Sequence, residues 1–190
     1  QDTHQNVRRN AAKALGKIKP QNIEIALALS RAITDPDDYV RREAMKALRK
    51  IKPQNTEIAL ALTQALQDPD NYVRREAAKA LGEIKSQDPN IPMALVRTLH
   101  DRDEIVKLAA QAALEEIKPQ NREVAKALVQ ILRNRDNRGR VISERVVQIL
   151  GKINSQDPEV AQALCQVLHE DEYWIREKAA IALSEIKSQD

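Results

Sequence analysis

Three arginines and three lysines recur in this chain at a fixed interval. Arg9, Arg42 and Arg75 are evenly spaced, and Lys13, Lys46 and Lys79 follow with the same step. Arg49 adds a cation beside the second set, and Tyr39 and Tyr72 stand three residues before Arg42 and Arg75. Aromatic rings interleaved with Arg and Lys can stack on bases or hold an anionic ligand. Aligned cations also repel one another, so such a column carries a cost if it binds nothing. For the two rings a plain packing role stays open, because the same column holds Ile105 and Trp174. A second basic cluster, Arg133 to Arg140, contains Arg135, Arg138 and Arg140 around Gly139. It reads either as a phosphate or carboxylate clamp or as a solvated loop.

Other chemistry is thinly supplied. Four glycines are too few for a Gly-rich phosphate loop, and one cysteine excludes a disulfide framework and a thiolate zinc site. Cys165 shares its column with Ser30, Thr63, Val96 and Val129, a slot for a small side chain rather than a nucleophile. His100 and His169 are two whole repeat units apart, which argues against a shared metal. Carboxylate pairs such as Asp37-Asp38 and Glu115-Glu116 fall at helix ends, where capping accounts for them. We therefore expect no catalytic residue, no metal and no cofactor. No apolar run is long enough to span a bilayer, so no membrane partner is expected. The lack of paired cysteines fits a reducing, cytoplasmic compartment.

The elements that must position the cations are set by an internal repeat. Equivalent anchors fall at Val7, Val40, Val73, Val106, Ile142 and Ile175. The steps between them are equal, except that the step from Val106 to Ile142 is longer by three positions. Apolar residues follow each anchor at offsets 4, 7, 8 and 11, for example Ala44, Ala47, Leu48 and Ile51. At 100° per residue this is one stripe of an amphipathic helix. A second helical pattern, such as Ile58, Leu62, Ala65 and Leu66, lies between units. Lys-Pro-Gln-Asn and Asp-Pro-Asp connectors separate the patterns, with Pro as stop and Asp as N-cap. The reading is eleven helices, six of the Val-Arg type and five of the other. A single pair cannot bury its stripe but stacked pairs can, which predicts an all-α solenoid. With no Phe and 42% hydrophobic residues, its core must come from Ala, Leu, Ile and Val.

Residues 68–84, Asp-Pro-Asp-Asn-Tyr-Val-Arg-Arg-Glu-Ala-Ala-Lys-Ala-Leu-Gly-Glu-Ile, carry a resemblance to a known family. They are similar to HEAT-like repeats of the phycocyanobilin-lyase type, and the similarity extends over essentially the whole chain. It implies a right-handed α-solenoid of about five and a half two-helix repeats in one domain. It also implies that the Val-Arg helices line the concave face, and that an Asp six residues before each Arg bonds between layers. That ladder reads Asp2/Arg8, Asp35/Arg41, Asp68/Arg74, Asp101/Lys107 and Glu170/Arg176. In the fifth unit it fails at Asn134 and Ser143, where three residues are inserted, so 133–143 is the expected weak joint. Both ends cut through the pattern without a polar cap, which implies a fragment of a longer parent chain.

Residues 1–95 hold 16 basic and 12 acidic side chains, and residues 96–190 hold 15 and 16. The first three Val-Arg helices are thus cationic at offsets 2 and 6, while later ones carry Leu108, Glu144 and Glu177 at the first of these. The functional expectation is a non-enzymatic protein-binding scaffold or sensor array presenting a partly basic surface to an acidic protein segment. Two alternatives stand beside it: nucleic-acid binding through phosphate contacts, and a subunit of a bilin-lyase-type enzyme.

Overall fold

The structure is a computed structural model that describes residues 4–18, 23–51, 55–84, 88–119, 121–133, 140–153 and 158–187. Among the described residues there are eleven helices and no strand, as an all-α solenoid requires. The Val-Arg helices are α1 (Gln5–Leu15), α3 (Asp38–Ile51), α5 (Asn71–Ile84), α7 (Glu104–Ile117), α9 (Arg140–Lys152) and α11 (Tyr173–Lys187). Alternating with them are α2 (Ile23–Ala32), α4 (Thr56–Ala65), α6 (Asn90–Thr98), α8 (Arg122–Arg133) and α10 (Pro158–Val167).

By its contacts the chain divides into residues 1–113 and 114–190, a division that falls inside α7. In the first unit α1 packs on α3 and α3 on α5, while α2 packs on α4 and α4 on α6. In the second, α9 packs on α11 and α8 on α10, with α8 against α9 and α10 against α11. Both units therefore repeat one arrangement, in which like helices stack and unlike helices pair. The expected joint at 133–143 lies mostly outside the described residues.

The buried stripe is the one the periodicity marks. Val40, Val73, Val106 and Ile175 are at most 1% exposed, and Ala44, Ala77, Ala110 and Ala179 are fully buried. Leu48, Leu81 and Leu114 lie in the same core, each worth about 1.5–3 kcal/mol on burial. Val7 and Ile18 depart from the stripe and stay about half exposed. They belong to the first layer, and among the described residues α1 has no layer ahead of it to cover them.

Helix starts follow the acidic and amide residues of the connectors. The Asp37 carboxylate accepts from the Val40 N–H at 3.0 Å, and Asp70 from the Tyr72 N–H at 2.8 Å. Asp103 accepts from Ile105 and Val106, and the Asn55 side chain from Glu57 and Ile58. Each such cap contributes about 1 kcal/mol.

A ladder of arginines ties the layers of the first unit together. The Arg74 guanidinium donates to both carboxylate oxygens of Asp101 at 2.7 and 2.9 Å. Its remaining nitrogen donates to the carbonyls of Asp68 and Pro69 in its own connector. Arg41 is likewise ion-paired with Asp68, donating one hydrogen bond to it at 3.2 Å and others to the Asp35 and Pro36 carbonyls, and Arg8 pairs with Asp35. Each Asp also accepts the N–H two residues on: Asp35 from Asp37, Asp68 from Asp70, Asp101 from Asp103. One carboxylate thus shapes its own turn and receives the arginine of the preceding layer. In the fourth layer Lys107 turns instead to Glu104 at 3.4 Å.

Candidate functional site

The predicted columns come together on the exposed side of α1, α3 and α5, all in the first unit. Val40, Ala44, Ala47 and Leu48 point one face of α3 inward, so offsets 2 and 6 face outward. Arg9, Lys13 and Lys46 are exposed there, and Arg42, Arg75 and Lys79 are half-buried.

The rings and guanidiniums alternate from layer to layer. The Arg9 guanidinium lies 4.9 Å from the Tyr39 ring centre, and Arg42 lies 5.7 Å from the same ring. Arg42 is also 5.9 Å from Tyr72, and Arg75 is 4.8 Å from it. Arg9, Tyr39, Arg42, Tyr72 and Arg75 therefore form one continuous ladder across three helices. Each cation–π contact at such a site is worth about 0.5–1 kcal/mol. Each ring already serves two guanidiniums, which leaves less of it for stacking on a base.

Carboxylates are threaded through the cations, a feature that the columns alone did not reveal. Arg42 is ion-paired with Asp70 and lies 3.6 Å from Asp38. The hydrogen bond to Asp70 raises the Arg42 pKa above its ordinary value. Burial would push the Asp70 carboxyl up, but the Arg42 hydrogen bond and the Tyr72 and Val73 amides hold it below the usual carboxylate range. Glu76 is only 3% exposed and sits among cations. It is ion-paired with Arg49, with Arg75 at 2.9 Å and with Lys79 at 3.5 Å. Burial again opposes its ionisation, and the bond from Arg49 with the charges around it outweighs burial, so its pKa is lowered. Arg49 also reaches Glu83 at 3.4 Å, and its own pKa is raised chiefly by the Glu76 bond. Among the described residues Lys13, Lys46 and Lys50 have no acidic partner.

Three further cations of the expected set fall elsewhere. Arg135 and Arg138 lie outside the described residues, and Arg140 opens α9. In the fourth layer the ladder columns turn apolar: Ile105 and Leu108 of α7 are 54% and 50% exposed. Among the described residues no group of three or more His, Cys, Asp or Glu could hold a metal ion. No helix among them is long and apolar enough to cross a membrane.

The family model for HEAT repeats matches residues 1–61, 25–115 and 58–143, well over half of the chain. The chain belongs to the HEAT repeats family. A comparison with curated proteins gave no match. Solved structures of similar fold span nearly the whole HEAT-repeat chain. An engineered protein is 25% identical with a TM-score of 0.58, over 99% of this chain and 93% of its own. The archaeal HEAT-like repeats protein from Thermococcus onnurineus NA1 is 15% identical with a TM-score of 0.68, over 99% and 82%. A designed armadillo repeat protein in complex with the peptide (KR)4 is 20% identical with a TM-score of 0.61, over 98% and 95%.

Proposed function

We propose that this HEAT-repeat protein is a non-enzymatic scaffold whose Arg/Tyr ladder receives an acidic segment of a partner protein. The observation that carries the reading is the ladder itself, three guanidiniums held in register by two tyrosines on consecutive layers. Pre-ordered side chains lose less entropy on binding than free ones, so part of the ordering cost is met in advance. The spacing suits an extended peptide, because layers roughly 10 Å apart match about three residues of extended chain. The designed armadillo protein that carries (KR)4 supports peptide binding by this kind of fold. Here the exposed columns are cationic, so the complementary peptide is rich in Asp and Glu.

Lys13 and Lys46 give the cleanest test, because no internal ion pair is lost when they change. A labelled Glu-rich peptide is titrated with the wild-type chain and with Lys13→Glu/Lys46→Glu, folding being checked by circular dichroism. Loss of two attractive contacts and gain of two repulsive ones is expected to weaken binding about tenfold or more at low salt. Equal affinity for both proteins would remove the reading. Phosphate-driven nucleic-acid binding predicts instead a steep salt slope with duplex DNA. The interleaved Asp38, Asp70 and Glu76 speak against it.

A further inference from the structure

Nine residues after each anchor, the three joints of the first unit carry Gly16, Arg49 and Gly82. A Cβ added at Gly82 would lie 2.9 Å from the Cα of Ala113, and one at Gly16 would lie 2.6 Å from the Cβ of Ala47. These glycines let neighbouring Val-Arg helices close to near contact of their backbones. Arg49 brings a long side chain to the same register, so α3 and α5 cannot close in that way at this level. A cavity of about 560 Å³ opens there.

Its wall is strongly basic. Lys46, Arg49 and Lys50 come from α3, and Arg75 and Lys79 from α5, against the carboxylates of Glu76 and Glu83, a net formal +3. Tyr72 closes one side, with Arg75 on its ring. Buried Glu76 is the floor, and its ion pairs hold Arg49, Arg75 and Lys79 in place. The rim differs: Lys46 and Lys50 are exposed and have no acidic partner among the described residues. One half of the site is thus fixed by an internal anion, and the other half awaits one.

We infer that this cavity between α3 and α5 binds the phosphate of a phosphorylated side chain in the partner segment. The inference rests on the acidic-segment reading above. A carboxylate brings one charge and two acceptor oxygens, whereas a phosphorylated side chain brings about −1.5 to −2 and three. Of the two, the phosphate comes closer to neutralising a net +3 wall, and it offers enough oxygens for two ammonium groups and the outer edge of a guanidinium. A nucleic-acid backbone fits worse. Its successive phosphates would run on past Asp38 and Asp70, which flank Arg42 nearby on the same face.

The test uses three Asp/Glu-rich peptides, identical except for Ser, Glu or phosphoserine at the centre. They are titrated calorimetrically into the wild-type chain and into Lys46→Gln/Lys50→Gln. Both substitutions are on exposed side chains, and circular dichroism checks the fold. The phosphoserine peptide is expected to bind about tenfold tighter than the Glu peptide, and the double variant to bring that ratio close to one. Millimolar inorganic phosphate is expected to compete with the phosphoserine peptide. Equal affinity for the phosphoserine and Glu peptides overturns the inference and leaves the acidic-segment reading intact. A ratio that survives the double substitution also overturns it. Failure of all three peptides to bind overturns both. Displacement of the phosphopeptide by duplex DNA at lower concentration overturns it too, and turns the cavity into a nucleic-acid contact.

Discussion

Glu76 is the residue on which the charge of this face converges. Three cations meet its carboxylate, and its folded pKa lies below the ordinary 4.5. A lowered carboxyl pKa means that the fold stabilises the ionised form. That stabilisation is complete above the unfolded value and disappears as pH falls through the folded one. Glu76→Gln keeps the shape and removes the charge, so it is expected to cost about 1–3 kcal/mol at pH 7. The figure stays below that of a fully buried pair because the cations left behind reach solvent. Denaturant titrations should show a constant gap between wild type and Glu76→Gln from pH 7 to about pH 5, shrinking below 4.5. A gap independent of pH down to the acid transition would refute the assignment. The arginine and tyrosine columns were legible in the sequence because they recur at a constant step. The burial of Glu76 was not. Glu43 holds the same column, and what sets Glu76 apart is Arg49, which reaches it from a different helix.

At the scale of elements, the same glycine column sets how closely helices approach. At Gly151 an added Cβ would meet the Ala182 Cα at 2.7 Å, and at Gly82 the Ala113 Cα at 2.9 Å. Backbone atoms cannot rotate away as a side chain can, so relief requires a shift of a whole helix. Gly82→Ala and Gly151→Ala are each expected to cost about 1–3 kcal/mol, read as a lowered melting temperature. An unchanged melting temperature would mean that the layers slide apart freely. Arg49→Ala creates no such clash, since a Cβ is already accommodated there. Its cost comes from the lost ion pairs with Glu76 and Glu83. The alternation of two helix types was readable from periodicity, since offsets 0, 4, 7, 8 and 11 allow only one face inward. The ladder was readable only in part. The resemblance implied an Asp–Arg bond between layers, and the carboxylate of Asp101 does receive Arg74 of the preceding layer, but spacing gave no sign that Arg74 also holds the carbonyl of Asp68. Sequence spacing cannot separate side-chain from main-chain partners.

Among the described residues of each unit, the main contacts are between an element and its next two neighbours along the chain. α3 touches α1, α2 and α5, and α4 touches α2, α5 and α6. A repeat array of this kind is stabilised by each unit and its nearest interfaces, not by a single shared core. The net charge of +3 follows the same logic, because it averages a cationic first half with a slightly acidic second half. Local coupling has a measurable consequence. In a globule with one core, a destabilising substitution lowers hydrogen-exchange protection wherever exchange proceeds by global unfolding. In this chain Gly82→Ala acts at the joint of α5 and α7, inside the unit that spans residues 1–113. Amides of α5 and its neighbours α3 and α4 are expected to exchange faster, by the factor that the lost stability implies, about five- to 150-fold. Amides of α9 and α11, in the unit of residues 114–190, are expected to keep their wild-type rates. Native-state hydrogen exchange read by mass spectrometry distinguishes the two behaviours peptide by peptide. Equal acceleration in α9 and α11 would show that the chain unfolds as one cooperative body.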